Sequence, residues 1–128
     1  LTRLPSSSAR TMDNCYLYEF KQGWVAVVRP GIKIGFGLAW DPKVFRYLWI
    51  WQALGGGIGY PWYGRTYAMG IEPWTSYPCA GIEKAVANGT SMCLEAGGHL
   101  DAWLTAVAFT GIGSVSRIDA DGHVKAIR

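Results

Sequence analysis

The stretch IKIGFGLAWDPKVFRYLWIWQAL, residues 32–54, decides the fold class. Its first nine residues alternate bulky apolar side chains with Lys, Gly and Ala, which is the period-two pattern of a β-strand. The small residues predict a strand face on which another layer can approach closely. Asp41-Pro42-Lys43 predicts a turn. Residues 44–54 are bulky, β-branched and aromatic, and therefore predict a strand that is buried on both faces.

Further strands are predicted on both sides of this pair. Residues 15–20 alternate in a β manner and residues 24–29 form a β-branched run, so the two are predicted to form a hairpin. Residues 66–74 predict a short strand that runs into a turn. The segment SRIDADGHVKAI, residues 116–127, predicts a closing hairpin around Asp121-Gly122.

The segment between these strands has a less regular pattern. Residues 81–88 favour a short helical turn that ends at Gly89. A short strand and a Gly97-Gly98 turn are predicted to follow. The alanines of residues 99–110 would suit a helix, but the alternation of large side chains there favours a strand.

Together these patterns predict an all-β fold, an antiparallel β-sandwich of short strands with one short helical turn. The polar, Ser-rich residues 1–10 are predicted to form an N-terminal arm. Residues 11–128 are predicted to form a single β-sandwich domain, a size that can bury a core without disulfides or a metal.

The composition excludes several functional classes. Of the 128 residues 50% are hydrophobic and 16% charged, and the net charge of +3 comes from scattered Lys and Arg. Without a basic run, no nucleic-acid partner is expected. No apolar run reaches membrane-spanning length, so no membrane partner is expected either. No two of the three cysteines have CxxC spacing, which predicts reduced, buried thiols in a cytoplasmic protein.

Three short motifs are set aside because each lacks a required partner. GGGIG, residues 55–59, lacks the Lys-Ser/Thr of a phosphate loop. DADGH, residues 119–123, begins like a calcium loop, but no acidic residue follows at the required distance. His99 and His123 have no paired ligand spacing. GGGIG is therefore expected to form a loop, DADGH a turn, and the two histidines are expected on the surface. No metal and no cofactor are expected.

The segment GYPWYGRTYAMGIEPWTSYP, residues 59–78, concentrates the candidate functional residues. It gathers aromatic rings and prolines around one carboxylate, that of Glu72. Aromatic faces pack against the C–H faces of a sugar ring, and a carboxylate can accept hydrogen bonds from hydroxyls or act as a general base. The segment therefore predicts a sugar site. The alternative is a buried loop in which Glu72 pairs with Arg65 or Arg46.

The two arginines are also candidates to hold a sugar hydroxyl or phosphate in bidentate fashion. The catalytic candidate is Glu72. The candidate substrate-binding residues are Trp62, Tyr63, Arg65, Tyr67, Trp74, Arg46, Trp49 and Trp51.

GIEPWTSYP, residues 70–78, resembles the Glu-containing segment near the C-terminal end of the aldose 1-epimerases, the galactose mutarotase-like proteins. Residues 24–52 resemble the preceding pair of strands of that family. Residues 85–109 resemble its closing section, where the turn reads Leu94-Glu95-Ala96-Gly97-Gly98 in place of the family pattern L-x-P-G-E. The resemblance covers residues 11–111 and points to a less studied branch of the superfamily.

The resemblance implies half of a mutarotase-like β-supersandwich that binds an aldose or sugar derivative on a concave face. It also implies that Glu72 is the base in the interconversion of sugar anomers. The family's acid is a histidine from an earlier part of the domain, and no residue here matches it. A non-catalytic sugar-binding module and an interaction protein with the aromatic segment as subunit interface are the alternatives. An uncovered apolar sheet face predicts a homodimer that rebuilds a sandwich.

Overall fold

The computed structural model describes residues 3–127, and its regular structure is almost entirely β. The described residues also contain a short 3-10 turn, Ser7–Ala9, and one helix, α1, Ile82–Ala87. The predicted all-β class, with antiparallel sheets and a short helical turn, is confirmed. The strands are β1 Thr11–Tyr18, β2 Gly23–Arg29, β3 Ile34–Trp40, β4 Tyr47–Leu54, β5 Tyr67–Trp74, β6 Leu104–Thr110, β7 Val115–Ile118 and β8 Val124–Ala126.

The chain divides into two compact units, each made of two separate segments. The first unit comprises Leu1–Glu19 and Tyr47–Ser91, and the second comprises Phe20–Arg46 and Met92–Arg128. The arm over residues 1–10 and the single domain over residues 11–128 stay predictions, and their residues 1, 2 and 128 lie outside the described part of the chain.

In the first unit, β4 is the central strand of the antiparallel sheet β1-β4-β5. Its apolar side chains pack inside the protein on both faces: Leu48 and Ile50 are buried, and Trp49 is only 8% exposed. The prediction that residues 44–54 contain a strand buried on both faces is confirmed. Since β4 pairs with β1 and β5 over its whole length, it fixes the register of both neighbours.

In the second unit, β3 is the central strand of the antiparallel sheet β2-β3-β6. Its glycines allow the close approach that the sequence predicts. A Cβ at Gly35 would overlap the ring of Phe109, and one at Gly37 would overlap the side chain of Ile118. In the first half of β3 the glycine face is therefore the covered one, whereas Ile34 and Phe36 on the other face are 51% and 44% exposed. Further along that other face, Leu38 and Trp40 are buried.

The predicted hairpin between residues 15–20 and 24–29 is wrong. β1 pairs with β4, and the hairpin is formed by β2 and β3 instead. The pairing with β4 places the ring of Tyr16 edge-on to Trp49, with 5.6 Å between the ring centroids. The partner strand β4 lies about thirty residues further along the chain, and local sequence does not reveal a partner so distant.

The elements predicted for the segment that follows β5 are confirmed in part. The helical turn is confirmed as α1, followed by Gly89 with a positive φ of 73°. The closing hairpin is confirmed as β7 and β8, with Gly122 at a φ of 83° in the turn. The strand predicted before Gly97-Gly98 is wrong, because residues 90–103 form neither helix nor strand. The later strand begins only at Leu104.

No helix within residues 3–127 has the length and apolar character needed to cross a membrane.

Candidate functional site

The sheet of the first unit carries an aromatic face. Residues opposite one another in an antiparallel pair project on the same side of the sheet, and their neighbours two positions away do so as well. Trp49 lies opposite Tyr16 on β1 and opposite Glu72 on β5. Tyr47 lies opposite Trp74, and Trp51 opposite Gly70. The name aromatic face is used below for Tyr16, Tyr47, Trp49, Trp51, Glu72 and Trp74, which share this side of the sheet with the exposed Tyr18.

The rings of this face contact one another in pairs. Trp49 and Trp74 stack with centroids 4.5 Å apart and an interplanar angle of 21°. Trp51 contacts Trp62, from the loop after β4, at 5.0 Å and 47°. The indole N–H of Trp49 donates to the carbonyl of Ser76 at 2.9 Å, which fixes the buried ring. Each aromatic pair adds about 0.5–1.5 kcal/mol beyond the burial of its surface, so the face is rigid.

The carboxylate of Glu72 lies on this face in a defined orientation. Its Oε2 accepts a hydrogen bond from the indole Nε1 of Trp74 at 3.0 Å. Its Oε1 lies only 2.5 Å from the position that a Cβ on Gly70 would take, and that position is 3.6 Å from the Cβ of Trp51. The side chain therefore extends along the strand from beside Trp49 towards Trp51, over the space that glycine leaves open.

Within the described residues of the first unit, no Lys or Arg neutralises this carboxylate. Glu72 belongs to neither of the ion pairs seen in the described residues, His99 with Asp101 and His123 with Asp119, and no Lys or Arg of its own unit pairs with it. The alternative of a Glu72–Arg65 pair is wrong: Arg65 is exposed, and its backbone N–H closes a turn to the carbonyl of Trp62 at 3.0 Å. The hydrogen bond that orients the charge of Glu72 comes from the indole N–H of Trp74.

The structure brings four predicted aromatic residues together with Glu72: Trp49, Trp51, Trp62 and Trp74. It does not bring Tyr67 there, because odd-numbered residues of β5 project to the opposite face, where the Tyr67 hydroxyl donates to the carbonyl of Pro5 at 2.6 Å. Tyr63 is exposed and meets Tyr60 edge-on. Arg46 belongs to the second unit.

Sequence reasoning missed three tyrosines and one glycine of the site. Tyr77 stacks on Tyr47 with centroids 5.6 Å apart and meets Tyr16 edge-on at 5.3 Å, which extends the aromatic face beyond β5. The concentration of aromatic residues in 59–78 could have identified Tyr77 as a site residue. Tyr16, Tyr47 and Gly70 become visible only with the register of the three strands.

A second polar cluster lies in the turn between β7 and β8. One ligand atom from each of Asp119, Asp121 and His123 falls within 4.8 Å of the others. The Oδ1 atom of Asp119 accepts from the backbone N–H of His123 at 2.9 Å and from that of Asp121 at 3.2 Å. The backbone N–H of His123 is the main cause that lowers the pKa of Asp119. Desolvation opposes it as the next largest cause, and the charge of His123 lowers the pKa further. The predicted turn is confirmed, and this carboxylate stabilises it.

The remaining side chains with reactive potential are on the surface. His99 and His123 are largely exposed, as predicted. Cys15, Cys79 and Cys93 are free thiols, but Cys79 and Cys93 are exposed and Cys15 is only half-buried, so the prediction of buried thiols is wrong.

Comparisons with protein-family models, with curated proteins and with solved structures find no match for this chain. The resemblance to aldose 1-epimerases therefore stays a hypothesis carried by the quoted residues. The case for a function rests on the aromatic face and its carboxylate.

Proposed function

We propose that the chain is a carbohydrate-binding protein whose aromatic face holds an aldose or sugar derivative. One observation carries the proposal: the Glu72 carboxylate is oriented by the Trp74 indole among contacting tryptophan rings. Trp74 is 41% exposed, so one face of the stacked pair is accessible from solvent. A flat apolar surface beside an ordered acceptor is the chemistry that a pyranose requires.

The physical contributions to such binding are separable. The C–H face of a sugar ring would cover the exposed indole of Trp74, which removes apolar surface from water. A sugar hydroxyl would donate to Oε1 of Glu72, whose other oxygen already accepts from Trp74. A hydrogen bond to a charged acceptor contributes about 1.5–3 kcal/mol, so Glu72 would provide much of the orientation and specificity.

Binding without catalysis is the version of this function that the geometry supports best. Anomer interconversion needs a base and an acid that protonates the ring oxygen. Glu72 could serve as the base, but the two histidines of the chain both belong to the second unit. Interconversion of sugar anomers, as the resemblance to aldose 1-epimerases implies, is the second candidate, favoured by the ordered carboxylate alone.

The first test is an NMR measurement of binding and of α/β anomer exchange for a panel of aldoses. We expect line broadening from binding to the wild-type protein, and a loss of at least about tenfold in affinity for Glu72→Gln, because a neutral amide replaces a charged acceptor. Glu83→Gln is the matched control, since Glu83 is exposed on α1 of the same unit and loses the same charge.

The outcomes separate the candidates. Catalysed exchange that disappears in Glu72→Gln and persists in Glu83→Gln would establish an epimerase. Binding without exchange would establish the non-catalytic module. The absence of both for every sugar would overturn the proposal and favour the aromatic face as a subunit interface.

A further inference from the structure

We infer that the sugar held by the aromatic face carries a positive charge, and that it is an amino sugar whose protonated amine lies beside Glu72. This inference rests on the proposed carbohydrate-binding function and specifies its substrate class. Three features of the site support it: a carboxylate without a cationic partner among the described residues of its unit, a space beside it, and indole rings on either side.

The unneutralised charge is the first feature. Glu72 is half-buried, and no Lys or Arg in the described part of its own unit pairs with it. The indole N–H of Trp74 orients the carboxylate but brings no formal charge. A half-buried carboxylate interacts with a cation more strongly than a solvent-exposed one, because less water screens the pair. A protonated amine satisfies this requirement, and a neutral hydroxyl does not.

The rings around the carboxylate favour the same ligand. Glu72 lies between two indole pairs along the strand, the Trp49–Trp74 stack and the Trp51–Trp62 pair. Indole has the strongest attraction for a cation of the aromatic side chains, within about 6 Å of the ring centroid. An ammonium hydrogen-bonded to Oε1 of Glu72 would lie close to these faces, so carboxylate and rings would act on the same charge.

The shape of the site limits the ligand to a compact one. Gly70 leaves the space into which Oε1 extends, and a Cβ there would lie 2.5 Å from that oxygen. A primary amine fixed directly to a sugar ring can approach Oε1 while the ring covers the exposed face of Trp74. The chain as a whole has a net charge of +3, so the attraction for a cation is local to Glu72.

The experiment compares three sugars by NMR titration at about pH 6, below the usual α-amino pKa of about 7.7–8.0. Glucosamine carries the charge, N-acetylglucosamine replaces it with a neutral amide, and glucose carries a hydroxyl at that carbon. We expect glucosamine to bind at least about tenfold more tightly than either neutral sugar, because its ammonium adds the attraction of opposite charges to the hydrogen bond that Glu72 also accepts from a neutral donor. The advantage should disappear in Glu72→Gln and persist in Glu83→Gln.

Should Glu72→Gln fail to fold, Gly70→Ala provides a second route. It keeps every charge and moves the carboxylate, and it should also remove the preference for glucosamine. Equal affinity for the three sugars in the wild-type protein would overturn the inference and leave carbohydrate binding in place. No binding of any sugar would overturn both. Binding of tetramethylammonium alone would also overturn both, since the face would then recognise an ammonium without a sugar ring.

Discussion

Glu72 is positioned by two residues of its own strand. Trp74 donates its indole N–H to Oε2, and Gly70 leaves the space that Oε1 enters. Residues two apart on a strand share a face, so Gly70, Glu72 and Trp74 form one row. The spacing G-x-E-x-W is thus the smallest part of the sequence that defines the orientation of the carboxylate.

Gly70→Ala tests this row. The atom nearest to the added Cβ is the end of the flexible Glu72 side chain, so the carboxylate should move and the strand should stay. We expect sugar affinity to fall by about tenfold or more, the equivalent of one charged hydrogen bond. The free energy of unfolding should change by less than about 1 kcal/mol.

Gly59→Ala is the control for Gly70→Ala, since no atom lies within 4 Å of a Cβ at that position. Calorimetric titration and denaturant unfolding measure the two quantities separately. Unchanged affinity in a folded Gly70→Ala protein would show that the carboxylate position does not matter for binding.

Asp119 gives a prediction on pH dependence. Its pKa in the folded protein is lowered below the ordinary aspartate value of 3.8, chiefly by the backbone N–H of His123. Because the folded value lies below the unfolded one, the stabilisation is fully present above 3.8 and is lost as the pH falls through the folded value. Asp119→Asn should lower stability at neutral pH and remove this part of the acid dependence.

Unfolding of the wild type and of Asp119→Asn across the acid range checks the sign. Asp101→Asn removes a carboxylate from an exposed segment outside the β7–β8 turn and serves as the control. Parallel stability curves for the wild type and Asp119→Asn would contradict the role of this carboxylate in the turn.

At the scale of elements, β3 shows how glycine decides which face of a strand is covered. Phe109 of β6 and Ile118 of β7 occupy the space above Gly35 and Gly37. Ile34 and Phe36 point the other way and are exposed. The apolar pattern alone would place the bulky face inside, but the glycine face admits large side chains from neighbouring strands.

Gly35→Ala should therefore destabilise the second unit. The new Cβ would overlap the ring of Phe109, and overpacking of this kind costs about 1–3 kcal/mol. Denaturant unfolding should report that loss, and Phe109→Leu in the same chain should recover part of it. Gly31→Ala, with no atom near its Cβ, is the control. A Gly35→Ala protein as stable as the wild type would contradict the close packing of β3 and β6.

The sequence predicts elements of this fold better than their pairing. The alternation in residues 32–40 and the apolar run in residues 44–54 identify β3 and β4, because period-two patterning is a local property. The partner of β1 depends on the contact of Tyr16 with Trp49, which joins distant parts of the chain. The site follows the same rule. The local sequence predicts that Glu72 lies among aromatic rings, but it does not predict which side of the sheet Tyr67 occupies, because that depends on the strand pairing.

At the scale of the whole molecule, the exposed side of β3 bears on assembly. Ile34 and Phe36 lie on that side, and Val27 of β2 is paired with Phe36. Contiguous apolar surface on a sheet favours association, and a second copy of the chain is the partner we expect. Homodimer formation thus stays a prediction, now assigned to a specific face.

Sedimentation of the wild type and of Phe36→Ser measures this association. The wild type should be dimeric at micromolar concentration, and Phe36→Ser should shift the population towards the monomer because it removes apolar contact area. Ile58→Ser, which replaces a more exposed side chain in the loop after β4, is the control. A monomeric wild type, or a dimer unaffected by Phe36→Ser, would exclude this face as the interface.

The stack of Trp49 on Trp74 also gives the protein an optical property. Two indoles with centroids 4.5 Å apart and nearly parallel planes have coupled electronic transitions, so they absorb and emit as a pair. One of them donates its N–H to the carboxylate, which links the excited state of the pair to the local charge. A molecule that settles on Trp74 and pairs with Glu72 would perturb both, so ultraviolet circular dichroism and fluorescence would follow occupancy of the face without any added label.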